Sequence, residues 1–340
     1  MTETILSLLQ PYLKNAFPER PGMAVTRIES LNTGWESDVY AFDAARDADG
    51  AQQSEPLILR IYPGTDADDK SVREFHNLAE LKKQGYPVPR VDRLETTATS
   101  PFGKPFLIME RVPGRGMWGP MFRGEPEQRG RLLGQFCDLF ARLHALDPRP
   151  FDPSLPKAAN AVQRQLDRWR PYIGALPLPG FIPGWEWISR RAPDITDTTF
   201  SPCHWDFHPE NILVDEAGGA VVIDWTGLEV TDRRFDVAWT LLLICSNEGE
   251  AAREPILRGY ERRAGVTLEH MDFFDAVACF RRLFSVLASL AVGAEKMGMR
   301  SGAEEMMRSH ARPLRFVYER WLALTTAPIT EAEDFLRETR

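Results

Sequence analysis

An α+β fold in two lobes, a β-rich N-terminal lobe followed by a larger and mainly helical C-terminal lobe, is predicted by three observations. The first third of the 340-residue chain alternates strand-like runs with turn formers. From Pro113 onward, long stretches carry apolar residues at i, i+3, i+4 spacing. Among those stretches lies a polar loop, "SPCHWDFHPENILVD" (201–215), followed by a second short strand, "AVVID". A chain of this length is ample for two units.

The elements follow in order. "MAVTRIESL", "SDVYAFDA" and "PLILRIYP" are rich in β-branched and aromatic residues and read as strands, with "ARDADGAQQSE" (45–55) as the hairpin loop between the last two. "DADDKSVREFHNLAELKKQG" predicts the lobe's one helix, with acids early, lysines late and Gly85 at its end. "VPRVDRLETT" and "KPFLIMERV" return to strand character. Residues 1–112 are thus expected to form the N-lobe and 113–340 the C-lobe, with helices at 125–146, 160–172, 234–247, 250–264, 268–298 and 301–324. "NILVD" and "AVVID" are the short strands within it. No internal repeat or low-complexity tract is evident.

Composition narrows the function. The chain is 43% hydrophobic and 26% charged, as a folded globular protein requires. A net charge of -8 argues against nucleic acid as the main partner, since phosphate backbones demand basic clusters. Cys137, Cys203, Cys245 and Cys279 lack CxxC spacing, so neither a zinc site nor a disulfide framework is suggested. The N-terminal run "MTETILSLLQPYLKNAF" carries polar residues where a signal peptide is basic and then apolar. The uncharged stretch "LFSVLASLAVGA" falls short of the ~20 residues of a membrane span. A cytoplasmic protein without a membrane partner is expected.

Within "HWDFHPEN", Asp206 and Asn211 stand five residues apart, and thirteen residues later Asp224 ends the strand "AVVID". An amide oxygen and a carboxylate form a hard oxygen set of the kind magnesium takes beside nucleotide phosphates. Asp206 is then available to orient an attacking hydroxyl or accept its proton. His-x-Asp-x-x-x-x-Asn followed by a strand-ending Asp is the pattern of a kinase catalytic loop and its metal-binding aspartate. Such a site needs a cation on an N-lobe strand, and "LILRIY" supplies Arg60. Glu74 shares a helix face with Leu78 and Leu81, where an unpaired charge is costly, and Arg60 is the expected partner.

The chain resembles the aminoglycoside phosphotransferase/choline kinase-like family of small-molecule kinases, whose fold is protein-kinase-like. The residues that carry the resemblance are "LNTGWESDVYAF" as phosphate loop, "FLIMERVPG" as hinge, "LFARLHALD", "HWDFHPENILVD", "VVIDW" and "DRRFDVAWTLL". The resemblance implies ATP- and Mg2+-dependent phosphorylation of a hydroxyl on a small molecule, with GTP also open. It implies Asp206 as catalytic base, Asn211 and Asp224 as magnesium ligands, Arg60 as phosphate clamp with Glu74 as its partner, and Asp236 as a brace for the loop. Gly34 would belong to the phosphate loop. Adenine would meet backbone near Glu110 to Val112 and the side chains of Val39, Ile58, Leu213 and Ile223. His204 and His208 would hold the loop in shape. Two positions depart from the family: Arg60 stands where lysine is usual, and Trp205 where glycine is frequent.

Only eleven residues separate Asp224 from Asp236, too few for the activation segment that docks a peptide, so a protein substrate is disfavoured. Aminoglycosides, amino alcohols, homoserine, sugars and macrolides all remain open as acceptors. The acids Glu229, Glu248 and Glu250 are possible contacts for a cationic one. Trp185 and Trp187 could wall an acceptor pocket or pack between helices. Two rival readings stand beside the kinase. One is a nucleotide-binding pseudokinase scaffold. The other is a zinc-dependent hydrolase built on His204, Asp206 and His208 with Cys203, though two imidazoles are a thin ligand set.

Overall fold

The computed structural model describes residues 2–17, 23–31, 37–48, 51–156, 159–297, 299, 302–309 and 311–339. The chain forms two compact units. The first comprises Met1–Pro113 with Val221–Thr226 and Ala294–Ala303; the second comprises Gly114–Ala220, Gly227–Gly293 and Glu304–Arg340.

In the first unit, helix α1 (Thr2–Ala16) precedes β1 (Ala24–Ser30), β2 (Asp38–Ala48), β3 (Ala51–Ile61), α2 (Ala67–Lys83), β4 (Val91–Glu95) and β5 (Phe106–Glu110). The strands form one antiparallel sheet in the order β1-β2-β3-β5-β4. Side chains alternate across a strand, so each strand has two destinations. Tyr40, Phe42, Leu57, Leu59, Phe106 and Ile108 face the core, where Leu9, Leu13 and Phe17 of the N-terminal segment cover them. Each such buried side chain contributes about 1.5–3 kcal/mol. The opposite face carries Val39 across from Arg60 and Ala41 across from Ile58. Arg60 therefore sits on the sheet face turned away from α1, among apolar neighbours.

Two expectations change here. Among its described residues the unit has two helices, not one: α1 carries the four-residue repeat of Ile5, Leu9 and Leu13, continued at Phe17, with polar residues between them. Residues 45–55 are mostly strand, not loop, because β2 and β3 stay paired as far as Ala48 and Ala51. A polar ribbon can continue a ladder without a hydrophobic face to mark it.

The second unit opens with β6 (Arg115–Gly116), α3 (Trp118–Arg123), α4 (Pro126–His144), α5 (Ala161–Ala175) and α6 (Ile182–Arg191). Next come β7 (Phe200–Cys203), β8 (Ile212–Val214), β9 (Ala220–Val222), whose chain passes into the first unit, and β10 (Glu229–Asp232). Helices α7 (Arg233–Glu248), α8 (Arg253–Ala264), α9 (Met271–Val292), α10 (Ala303–Ser309), α11 (Ala311–Thr325) and α12 (Thr330–Glu338) complete the fold. The helix expected over 268–298 stops at Val292, where Gly293 takes φ 102 and its N–H closes on Ser289. The stretch 301–324 is helical over Ala303–Ser309 and Ala311–Thr325 among the described residues. Trp185 is buried and packs 6.1 Å from Phe280, and Trp187 packs 6.1 Å from Trp321, so both serve helix packing. No helix among the described residues is long and apolar enough to cross a membrane.

Candidate active site

On the first unit, Arg60 is the centre of a buried polar network. Its Nη1 donates to Glu74 Oε1 at 3.1 Å, its Nη2 to Asp224 Oδ1 at 2.8 Å, and its Nε to Ser37 Oγ at 2.9 Å. Tyr62 donates its hydroxyl to the other Glu74 oxygen at 2.5 Å. Glu74 is only 2% exposed, so its charge is held by Arg60 and Tyr62 rather than by water. Burial alone would lower the Arg60 pKa, but the Glu74 and Asp224 carboxylates outweigh it and hold the guanidinium charged. The planar fork explains how arginine fills a position usual for lysine: one head group reaches three partners on three segments.

Asp224 follows β9 and has φ 67, a left-handed backbone rare for a non-glycine residue. Its segment is fixed within the same unit. The Val222 N–H donates to the Pro87 carbonyl at 2.9 Å, and Trp225, 1% exposed, lies edge-on to Tyr86 at 5.6 Å. Val39, Ile58 and Ile223 also belong to this unit. At the end of β5, the N–H groups of Glu110 and Arg111 are taken by the Arg90 and Pro56 carbonyls, and the Glu110 side chain accepts from Arg90 N. Gly34 lies outside the described residues.

On the second unit, the loop 204–211 leaves β7, which pairs with β10 from Phe200–Asp232 to Cys203–Glu229, and enters β8, where Leu213 lies opposite Gly116. Helix α7 holds the loop with one face. Asp236, Trp239 and Thr240 stand at i, i+3, i+4 and so point the same way. Asp236, fully buried, accepts from the backbone N–H of His204 at 2.6 Å and of Trp205 at 2.8 Å. Trp239 Nε1 donates to Asp206 Oδ1 at 3.4 Å, and Thr240 Oγ1 to the Phe207 carbonyl at 2.7 Å. Beneath the loop, Phe207 stacks on Phe140 of α4 at 4.2 Å.

These contacts leave Asp206 at the loop's tip with 46% of its side chain exposed, 3.4 Å from His208 Nε2. Burial works to raise its pKa, but the His208 hydrogen bond, the charges of both loop histidines and the Trp239 donor hold it well below the usual carboxylate range. His204 is fully buried, and its Nδ1 receives the Asp206 N–H at 3.3 Å. Asn211 commits its amide nitrogen to the Asp206 carbonyl at 3.0 Å and Oδ2 at 3.3 Å, so its oxygen is the amide atom not used in these two bonds. An amide oxygen and the Asp224 carboxylate suit magnesium in donor chemistry.

Residues 27–274 match the model of the phosphotransferase enzyme family. The chain belongs to that family. This phosphotransferase has the protein-kinase-like α+β fold of several solved relatives. One is a Ralstonia eutropha JMP134 protein provisionally assigned as an aminoglycoside phosphotransferase, with TM-score 0.66, 20% identity, and coverage of 94% of this chain and 98% of that one. A second is a thermostable mutant of aminoglycoside phosphotransferase APH(4)-Ia in ternary complex with ADP and hygromycin B. Its TM-score is 0.59 and its identity 16%, with coverage of 94% and 98%. A third is macrolide 2'-phosphotransferase MphH from Brachybacterium faecium, with TM-score 0.54, 17% identity, and coverage of 86% and 98%.

The zinc alternative fails on geometry. Among the described residues, the three candidate ligands that come together are His144, Cys203 and Asp236, not His204, Asp206 and His208. In that cluster the Asp236 carboxylate already serves two backbone N–H groups. Burial drives the Cys203 thiol pKa well above its ordinary value, which keeps it protonated. His144 is buried and held neutral, its Nε2 facing Asp236 at 3.2 Å and its Nδ1 facing the Tyr260 hydroxyl at 2.8 Å. The cluster is a hydrogen-bonded core beneath the loop.

Sequence reasoning missed Ser37, Tyr62, Trp239 and Arg281. The Arg281 guanidinium lies 3.9 Å from the Trp239 ring centroid and 4.5 Å from that of Trp205. Two adjacent arginines, "CFRRLF", in the middle of an otherwise apolar helix were the available signal. Trp205 itself has φ 65, which explains the frequent glycine there: a residue with a Cβ pays about 1–2 kcal/mol in this region. Its indole is nonetheless 5% exposed, packed 5.6 Å from Trp169 and 5.8 Å from Phe235.

Proposed function

We propose that this phosphotransferase moves the γ-phosphoryl group of ATP to a hydroxyl of a small molecule. The observation that carries the reading is Asp206, presented at the tip of a loop whose backbone is pinned by Asp236 and whose carboxylate is oriented by Trp239 and His208. The acceptor hydroxyl donates to Asp206, its oxygen forms the new bond to the γ-phosphorus, and the bond to the β,γ-bridging oxygen breaks. The proton passes late to Asp206 and then to solvent, since transfer through a loose transition state needs orientation more than a strong base.

Arg60, positioned by Glu74 and Ser37, meets the phosphates. Asn211 and Asp224 supply the oxygen donors for magnesium, which when bound neutralises charge on the phosphates. Val39, Ile58 and Ile223 face the base. The backbone near Glu110 to Val112 is the hinge that meets it. GTP would test the same contact. The likeness to aminoglycoside and macrolide phosphotransferases supports antibiotics of these kinds as one acceptor class. The short Asp224–Asp236 interval supports a small molecule over a protein. A cytoplasmic setting, where ATP is present and thiols stay reduced, agrees with four free cysteines.

The test is Mg2+-dependent ADP release over a panel of hydroxyl acceptors. Acceptor-dependent release is expected, with Asp206→Asn lowering turnover by about 10²–10⁴. Equal turnover in the two proteins would refute the assignment.

A further inference from the structure

Helix α9 brings a positive charge to the side of Asp206. Arg281 is sandwiched between the indoles of Trp205 and Trp239, and Trp239 is itself the residue that donates to Asp206. Trp239 thus touches both the guanidinium and the Asp206 carboxylate. Stacking on two indole faces satisfies the guanidinium plane but none of its N–H groups. Arg281 Nη1 is buried with no hydrogen-bond partner, and so is Trp205 Nε1. Both atoms are donors, and they belong to side chains in direct contact. Buried donors left unpaired are rare in native proteins, and one anionic group could satisfy both of these.

The acids that could meet a cationic acceptor all have partners of their own. Glu248 is taken by Trp118 and Arg123, Glu250 by Arg320, and Glu229 by Gln165 at 3.1 Å. The three acids that sequence offered for a cationic acceptor are thus bound within the protein, while the open valences beside Asp206 are those of donors. Burial pushes the Arg281 pKa down to about 10 against the pull of Asp206, Glu229 and Asp236, so it is still a cation at neutral pH. The left-handed Trp205 fits the same picture. Its strained backbone places an indole on Arg281 where glycine would leave the guanidinium uncovered.

We propose that Arg281 and the indole N–H of Trp205 form an acceptor subsite beside Asp206, and that the acceptor is an alcohol bearing an anionic group, a carboxylate or a phosphate. The inference rests on the phosphotransferase reading for the role of Asp206, and not for the existence of the anion subsite. The acceptor's hydroxyl lies at Asp206 and its anion at Arg281. A polyamine would place like charge against Arg281.

Two measurements on the full chain test this. The first is Mg2+·ATP-dependent ADP release with γ-hydroxybutyrate and its amide, β-hydroxypropionate and its amide, glycerol phosphate and glycerol, and kanamycin. Anionic members are expected to exceed their neutral partners by about tenfold or more in kcat/KM. In Arg281→Gln the acceptor KM should rise by a similar factor with a smaller change in kcat, and Arg281→Lys should recover part of it. The carboxylate and phosphate arms decide which anion is taken. The second is direct binding, read as the indole N–H resonance of Trp205, assigned with Trp205→Phe, during titration with the same compounds. A saturable shift with anions and not with amides supports the subsite; Arg281→Gln should abolish it, with circular dichroism confirming that the variant folds. Equal response to amides, preference for kanamycin, or no shift with any anion would overturn the proposal. A shift without ADP release in any arm would leave the anion subsite standing and remove the phosphotransferase reading.

Discussion

The two halves of the chemistry are built on opposite plans. Around Arg60, the described polar groups close on one another: Glu74, Ser37, Asp224 and Tyr62 satisfy both the cation and its buried carboxylate. Around Arg281, aromatic faces replace hydrogen-bond partners, and donors are left buried and unpaired. The difference teaches which ligand each expects. In the proposed reading Arg60 clamps phosphate, and a clamp that meets the same cofactor in every cycle can rest on a carboxylate and exchange it. A subsite that must select among acceptors keeps its donors open, because only the right ligand then repairs them.

The largest effect expected from breaking this contrast is at Glu74. Glu74→Ala leaves Arg60 buried with Asp224 as its one remaining carboxylate partner and removes the Tyr62 acceptor, so unfolding in denaturant should report a loss of about 3–5 kcal/mol. Next, Asp224→Ala should cost on the order of 10²–10³ in turnover and remove the magnesium dependence of nucleotide binding, measured by calorimetry with and without the metal. Arg60→Lys sharpens the comparison. An ammonium on a flexible stem cannot reach Ser37, Glu74 and Asp224 together, and a stability loss of about 1–3 kcal/mol is expected from the same denaturant titration.

The smallest effect lies in the core under the loop. Burial lowers the His144 pKa from its ordinary 6.5, outweighing the nearby Asp236. Below pH 6.5 the unfolded chain therefore binds a proton that the folded one refuses, and stability falls as pH falls, by at most about 1.4 kcal/mol per unit. Unfolding curves between pH 7 and pH 5 should show this slope, and His144→Gln should flatten it.

Much of this was legible because charge and periodicity leave few choices. A glutamate in line with Leu78 and Leu81 demands a buried cation, and the alternation of β3 places Arg60 on the face away from the α1-covered core. The loop 204–211 was legible as a string because Asp206, Asn211 and the two histidines are neighbours in sequence. Ser37, Trp239 and Arg281 were not, since they join the site only through strand register and the packing of α7 and α9. Helix α1 had the periodicity but was judged by its polar residues, and the 45–55 ribbon had no apolar face to announce its pairing. The bracing of the loop by Asp236 was implied by resemblance alone; the reason is physical, two backbone N–H groups that need an acceptor inside a dry core.

The most direct test of the central claim is transfer of labelled γ-phosphoryl from ATP into a hydroxyl acceptor by wild type and Asp206→Asn under identical conditions. The account predicts a labelled phosphate ester from the wild type, with the label falling by about 10²–10⁴ in the variant while its fold is retained. Label appearing at the same rate in both proteins would contradict it.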